Sequence, residues 1–157
     1  MWGVDTNPDI INKLEAKLED RKQTNAQVVT SLDDVSIPGK HDIICIEVIE
    51  HMPLAEAKAL IKKLLKRDFR KLIISAPNVE FNQFYRLPEL SMFVGYRHDD
   101  HHFELNPEQF RELIAECMGS LEIPSCNLVA TFYPVGDRVS NIVDSYAMAQ
   151  AVVITKD

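Results

Sequence analysis

Short apolar runs alternate with longer amphipathic segments along most of this chain, and this alternation constrains its fold more than any other feature. Each apolar run has the length of a strand, and each amphipathic segment repeats its apolar residues at helical spacing. The predicted strands are residues 2–4, 26–30, 42–46 and 71–75, and the predicted helices begin at Pro8 and Leu54. This order predicts an α/β fold with a mainly parallel sheet, because parallel neighbours need a crossover connection.

The first two predicted helices each have one apolar side. Asn7 is a favourable N-cap, and Pro8 suits the first helical position that follows it. In the first helix four apolar residues are expected to be buried: Ile10, Ile11, Leu14 and Leu18. In the second, over residues 54–67, five are expected to point inward: Leu54, Ala57, Ile61, Leu64 and Leu65.

The C-terminal third of the chain predicts one more helix and a pair of strands. The helix should begin after Asn106, because Gln109 can complete a capping box with it, and should end at Gly119. Residues 121–133 and 147–155 then have the pattern of two strands, expected to pair in antiparallel fashion.

Composition limits the chain to one compact domain over residues 1–157. With 157 residues, 46% of them apolar, it can bury a core but has no room for a second. Because no apolar run approaches the roughly eighteen residues of a membrane span, a cytoplasmic protein without membrane contact is expected. Cys45, Cys117 and Cys126 are expected to be reduced core residues. The net charge of −7 argues against a broad basic surface, so any contact with nucleic acid must be local.

Two short clusters concentrate the side chains that can bind a metal. The first covers residues 47–51, directly after the apolar run of residues 43–46, which is predicted to be a buried strand. On a helical turn Glu47, Glu50 and His51 would lie at i, i+3 and i+4, within reach of one divalent ion. Glu50 and His51 alone would also suit an exposed first helical turn.

The second cluster, residues 97–104, ends a long polar and aromatic insertion that begins at Pro77. It contains His98, His101 and His102, three of the five histidines of the chain. Loops of this length inside compact domains are usually functional. A plain surface loop remains the alternative for these histidines, especially His102, and the aromatic residues of the insertion are more often packing residues than platforms for RNA bases.

Polar residues also follow the ends of the predicted strands. Asp5, residues 31–33, Glu47 and Asn78 each come just after one of them. In a doubly wound sheet ligands bind beyond the carboxyl ends of the strands, so these positions predict a site there. Asp5 fits capping of the turn before Pro8 equally well.

Three blocks, in their order and spacing, resemble the HEN-type small-RNA 3′-terminal ribose 2′-O-methyltransferases. They are EVIEH at residues 47–51, APNVEFN at residues 76–82 and RHDDHHFE at residues 97–104. The resemblance runs over the whole chain. It implies a Rossmann-like class I methyltransferase fold, with a mainly parallel sheet and an antiparallel C-terminal strand. It also implies methyl transfer from S-adenosylmethionine to the 2′-hydroxyl of the 3′-terminal nucleotide of an RNA.

The resemblance assigns roles to individual residues. It implies four ligands for one divalent cation, Mg²⁺ or Mn²⁺: Glu47, Glu50, His51 and His101. It implies a cofactor-binding set, with Asp5 at the ribose of S-adenosylmethionine and a looser match on the adenine side: Ser31, Leu32 and Asp33. It implies a loop near the RNA end: Asn78, Glu80 and Asn82. The catalytic candidates are His51 and His98, and His98 is the candidate proton acceptor. Two imidazoles beside two carboxylates suit Mn²⁺ at least as well as Mg²⁺.

One element of the family is missing from the sequence. Complete enzymes of this kind have an upstream strand that ends in a glycine-rich turn, whereas Gly3 is the only glycine here before Gly39 and no Gly-x-Gly occurs. The sheet is therefore expected to lack its first, central strand and to leave two strand edges open. Three explanations stay open: a fragment, a first part supplied by another polypeptide, or a decayed paralogue. The expected partners are an RNA 3′ end and an RNA-binding or RNA-repair protein.

Two other functional classes compete with the enzyme. A degenerate methyltransferase-like protein would keep the metal site and bind no cofactor. A divalent-metal hydrolase would use the same histidines and glutamates around zinc, which keeps one position open for water. Against the hydrolase, Glu47 ends a strand, whereas the ligands of zinc peptidases usually lie within a helix.

Overall fold

The computed structural model describes residues 1–84, 96–121, 127–139 and 146–156. The middle of the predicted insertion, residues 85–95, and Cys126 lie outside these ranges. Two compact units are present, Met1–Pro38 and Gly39–Asp157. The single domain expected from composition stays a prediction, because the compactness of a unit does not show that it folds alone.

The unit Met1–Pro38 is a small βαβ element. Strand β1, Trp2–Val4, pairs in parallel with β2, Gln27–Val29, and helix α1, Pro8–Asp20, connects them. The predicted cap is confirmed, because the Asn7 side chain accepts a hydrogen bond from the Asp9 amide and a proline opens the helix.

The predicted buried stripe of α1 is largely wrong. Of its apolar residues only Ile11 is buried, while Ile10 and Leu14 are 40% and 37% exposed and Leu18 is half-buried. A sheet of two strands with three residues each is too narrow to cover one side of a 13-residue helix. The sequence pattern shows which side is apolar, but not whether a surface exists to cover it.

The unit Gly39–Asp157 contains a four-stranded sheet in the order β3-β4-β6-β5. Its strands are β3, His41–Ile46; β4, Phe69–Pro77; β5, Leu128–Val139; and β6, Tyr146–Lys156. Strands β3 and β4 are parallel, and β6 is antiparallel to both of its neighbours. The predicted antiparallel C-terminal pair is therefore confirmed.

Helices α2, Leu54–Leu65, and α3, Pro107–Gly119, supply much of the core of this unit. Four of the five inward residues predicted for α2 are buried, but Leu54, at the first helical position, is 41% exposed. The capping box of Asn106 and Gln109 at the start of α3 is confirmed. Cys45 and Cys117 are buried and free, as expected.

Strand β3 is less buried than predicted. Cys45 is its only buried residue, and Ile44 and Ile46 are 65% and 54% exposed. The reason is that β3 lies at an edge of the four-stranded sheet and pairs only with β4. The strand that the sequence is expected to lack, with its two open edges, stays a prediction.

The ends of the strands place the polar residues as predicted within each unit. Asp5 directly follows β1, Glu47 directly follows β3 and Asn78 directly follows β4. Among the described residues, none of the helices combines the length and apolar character required for a membrane crossing.

Candidate metal centre

The turn after β3 differs from the predicted helical turn. Glu47 has a φ of 50°, in the left-handed region, and the 3₁₀ turn that follows covers only Ile49–His51. Glu47 is fixed by Ser75, whose hydroxyl accepts from the Glu47 amide at 3.2 Å and donates to Glu47 Oε1 at 2.7 Å. Glu47 therefore does not share one helical turn with Glu50 and His51, although it lines the same cavity.

Three of the four predicted ligands lie together. One ligand atom each from Glu50, His51 and His101 can be chosen so that all lie within 4.8 Å of one another. The rings of His51 and His101 meet edge to face, with centroids 4.8 Å apart. A single ion could be reached from all three side chains, and the ligand role of Glu47 stays a prediction.

Glu50 carries the strongest indication of a cation. Its side chain is 1% exposed, and neither carboxylate oxygen has a hydrogen-bond partner among the described residues. Burial raises the pKa of Glu50 to about 7, and the negative charges of Glu47 and Glu104 act in the same direction. A buried carboxylate without a partner is costly unless it coordinates a metal, so the donor set fits a divalent cation.

Both candidate histidine ligands are held by a carboxylate through one ring nitrogen. His101 Nδ1 lies 2.6 Å from Glu104 Oε1, and both side chains are almost fully buried. His51 Nδ1 lies 3.0 Å from Asp100 Oδ2 in a more exposed pair. Carboxylates at Nδ1 fix the orientation of an imidazole and leave Nε2 for a metal, as second partners of metal-bound histidines usually do.

Glu104 and Asp100 were not predicted as site residues. Besides His101, Glu104 accepts hydrogen bonds from the Arg97 amide and from Asn82 Nδ2. The signals in the sequence are their place in the block of residues 97–104 and the three-residue spacing between His101 and Glu104, which also fits a surface loop. Asn82 is predicted to bind substrate, but its side-chain amide donates to Glu104. Its substrate role stays a prediction.

His98 lies at the open side of this centre. It is exposed, its ring packs edge to face on His101 with centroids 5.1 Å apart, and its carbonyl accepts from the His101 amide. The cavity it lines has a volume of about 400 Å³ and includes Glu47, Glu50 and Arg97. His102 is exposed and contributes only its amide, which donates to the Glu50 carbonyl.

The predicted cofactor residues lie in the unit Met1–Pro38. The Asp5 amide donates to the Val29 carbonyl, so the ends of β1 and β2 are neighbours. Asp5 Oδ1 accepts from the Asn7 amide at 2.8 Å, which is the capping arrangement weighed as the alternative. Ser31 Oγ accepts from the Asp33 amide and caps the 3₁₀ turn Leu32–Asp34. Cofactor binding by these residues stays a prediction.

Comparison with solved structures defines the class of the fold. The magnesium protoporphyrin IX methyltransferase ChlM from Synechocystis PCC 6803, with bound SAH, has a TM-score of 0.62 at 17% identity. That match covers 99% of this chain and 64% of ChlM. The chain therefore has the α/β fold of the class I methyltransferases, as predicted. No family model matches it.

Closer relatives agree with the resemblance read from the three blocks. A small RNA 2′-O-methyltransferase of Caenorhabditis elegans is 36% identical over 76 residues, which cover 47% of this chain and 16% of that protein. A chain in the Pnkp1/Rnl/Hen1 RNA repair complex matches with a TM-score of 0.75 and 31% identity over 98% of this chain and 31% of its own length. The small RNA methyltransferase HEN1 matches with a TM-score of 0.75 and 26% identity over 99% of this chain and 20% of its own.

These matches make the chain similar to HEN-type small-RNA methyltransferases over part of their length. It spans about a fifth or less of the two curated proteins that it matches. The structural matches cover nearly the whole of this chain, whereas the activities of the relatives belong to much longer chains.

Proposed function

We propose that this chain provides the metal-binding part of an enzyme that transfers a methyl group from S-adenosylmethionine to the 2′-hydroxyl of the 3′-terminal nucleotide of an RNA. The buried, unpartnered carboxylate of Glu50 beside His51 and His101 carries the proposal. A bound cation would supply the partner that this carboxylate lacks among the described residues, and the residues of the centre stand in the blocks that resemble those of the RNA methyltransferases.

Glu50, His51, His101 and Glu47 would hold one Mn²⁺ or Mg²⁺. When bound, such a cation lowers the pKa of a ribose hydroxyl and orients its oxygen towards a methyl donor. Two carboxylates and two imidazoles favour Mn²⁺ over Mg²⁺, which prefers an all-oxygen shell. A requirement for two adjacent hydroxyls would also select the 3′ end of an RNA without a long binding groove.

The residues of the chain divide the remaining tasks. Glu104 holds His101 in position through Nδ1, and Asp100 does the same for His51. His98, exposed beside His101, accepts the proton that the 2′-hydroxyl releases. Asp5 and Ser31 to Asp33 are proposed to hold the cofactor from their own unit.

The partners follow from charge and chemistry. A chain with a net charge of −7 offers little attraction for RNA phosphates, so basic surface must come from elsewhere. We infer an RNA-binding or RNA-repair partner, since a relative of this chain is found in an RNA repair complex. We also infer that the protein acts in the cytoplasm and without membrane contact.

The test is a methyl-transfer assay with labelled S-adenosylmethionine, Mn²⁺ and a short RNA that ends in a free 2′,3′-diol. The full gene product should label this RNA and protect it from periodate, while an RNA with a 2′-deoxy terminus stays unlabelled. His101→Ala should abolish transfer, whereas the matched control His102→Ala should retain it. Full activity of His101→Ala with Mn²⁺ would show that the metal centre is wrongly assigned.

One observation favours a second candidate, a methyltransferase-like protein that binds no cofactor. No Gly-x-Gly turn occurs in the sequence, and such turns are the usual cradle for this class of ligand. Calorimetric titration with S-adenosylmethionine decides between the two. Absence of binding by the full gene product, beside intact Mn²⁺ binding, would favour the second candidate.

A further inference from the structure

A second cavity, of about 410 Å³, lies in the unit Gly39–Asp157. Its walls are the first turn of α3, the part of β5 around Phe132, the first half of β6 and the residues that follow β4. Along β6 the wall is formed partly by small side chains, Ala147, Ala149 and Ala151, which leave the space open. A volume of this size suits a small, flat organic group.

This cavity lies at the same end of the sheet as the metal centre, where β3 and β4 finish. Strand β4 ends there, and β6, which is antiparallel to it, begins there. The two sites share a wall, because Glu104 faces His101 while the carbonyl of the next residue, Leu105, accepts from Gln150 Nε2 at 2.8 Å. Asn78 and Glu80, both predicted to lie near the RNA end, line the second cavity.

An aromatic and cationic platform forms one side of the cavity. The Arg111 guanidinium lies 5.2 Å from the centre of the Phe132 ring, and the fully buried ring of Phe110 meets the Phe132 ring edge to face with centroids 6.0 Å apart. The platform is therefore backed by the core rather than free to collapse. Planar guanidinium and phenyl groups are the surfaces on which single-stranded nucleic acids stack their bases.

Gln150 has a buried polar atom without a hydrogen-bond partner among the residues described, which indicates that a ligand binds here. It lines the cavity, is 6% exposed, and donates through Nε2 to the carbonyls of Pro77 and Leu105. Its Oε1 atom is buried without a hydrogen-bond partner in the described part of the chain. Because the two Nε2 bonds fix the amide, Oε1 is an acceptor that lacks a donor such as the exocyclic amino group of a base.

We infer that this cavity receives the base of the 3′-terminal nucleotide of the RNA while its ribose lies at the metal centre. The inference rests on the proposed binding of an RNA 3′ end, and it adds a pocket for the base. Stacking on Arg111 and Phe132 accepts any base, and Gln150 Oε1 favours bases that present an N–H group.

The experiment uses a short single-stranded RNA with 2-aminopurine, a fluorescent base with an exocyclic amino group, as its 3′-terminal residue. In the presence of Mn²⁺ the full gene product should quench the fluorescence of this base on binding. Arg111→Ala should weaken binding about five- to tenfold, Arg111→Lys should recover only part of it, and Phe132→Leu should reduce the quenching. Arg70→Ala is the matched control, because Arg70 is an exposed arginine paired with Asp42 at the opposite end of β4. The affinity of this variant for the RNA should stay within about twofold of wild type.

Every outcome decides the question. Quenching only when 2-aminopurine is the penultimate base, equal losses in Arg111→Ala and Arg70→Ala, or no binding of the RNA would each overturn the base pocket. Methyl transfer without terminal quenching would overturn this inference and leave the proposed function intact. Terminal quenching without methyl transfer would overturn the proposed function and leave the base pocket intact.

Discussion

The two units of this chain differ in whether their polar side chains find hydrogen-bond partners. In Met1–Pro38 the Asp5 carboxylate and the Ser31 hydroxyl both accept hydrogen bonds from neighbouring amides, so local structure is sufficient to explain them. In Gly39–Asp157 the Glu50 carboxylate is buried with no partner among the described residues, and local structure leaves it unexplained. Polar side chains that satisfy a turn give weak indications of function, whereas a buried group left unsatisfied by its own fold gives a strong one.

The largest expected contrast is in metal binding. His101→Ala and Glu50→Ala should each lower Mn²⁺ affinity by about 100-fold or more, because each removes one ligand of a small set. Asp5→Ala, in the other unit, should leave affinity unchanged. Calorimetry or the electron paramagnetic resonance signal of free Mn²⁺ measures this, and equal affinity of wild type and His101→Ala would remove the contrast between the units.

A smaller loss of Mn²⁺ affinity is expected at Glu104, which contacts His101. Glu104→Ala should reduce Mn²⁺ affinity about 10- to 100-fold, because it frees the His101 ring from the carboxylate that orients it. Glu104→Gln keeps the shape and one acceptor oxygen, so it should lose less. The matched control is Glu108→Ala at the exposed start of α3. If Glu104→Ala and Glu108→Ala bind Mn²⁺ equally well, Glu104 does not position the ligand.

Glu50 should also destabilise the metal-free protein. Its pKa is raised to about 7, so the folded state binds the proton more tightly than the unfolded state does. The ionised carboxylate therefore lowers the free energy of unfolding above pH 7, and this loss of stability fades as the pH falls towards 4.5. With a chelator present, Glu50→Gln should therefore raise the free energy of unfolding by about 1–2 kcal/mol at pH 8 and by little at pH 5. Urea unfolding at the two pH values measures this. A loss of stability in Glu50→Gln at pH 8 would contradict it.

The smallest contrast concerns the helix caps. Asn7→Ala and Asn106→Ala each remove an N-cap and should each cost about 1 kcal/mol locally. The loss at Asn106 should be the larger, because Asn106→Ala also breaks the capping box. In addition, Asn106 caps α3, which has four buried residues, whereas α1 has one. Amide hydrogen exchange in α1 and α3 reports each loss separately, and an equal or larger loss at Asn7 would reverse the ranking.

Local chemistry made most of the fold predictable from the sequence. The caps at Asn7 and Asn106 and the antiparallel pairing of β5 and β6 depend on neighbouring residues or on strong patterns, and all of them are present. The exposure of Ile44 and Leu14 could not be predicted in the same way. An apolar pattern identifies a face, but its burial depends on whether another element covers that face.

The candidate centre was predictable only in part, for a related reason. Glu50, His51 and His101 are marked by residue type and by the three blocks, and the fold brings them together. The left-handed conformation of Glu47 and the contact between His101 and Glu104 depend on Ser75 and on buried packing. Tertiary contacts of this kind leave no periodic trace in a sequence.

Ile49 connects the metal centre to the hydrophobic core through a single peptide bond. Its side chain is fully buried, and the next residue is Glu50, so the packing of one decides where the carboxylate of the other points. Any change of volume at Ile49 would move a ligand as well as a core side chain. Substitutions at Ile49, an aliphatic residue outside the candidate ligand set, are therefore expected to change the position of the Glu50 carboxylate as well as the packing of the core.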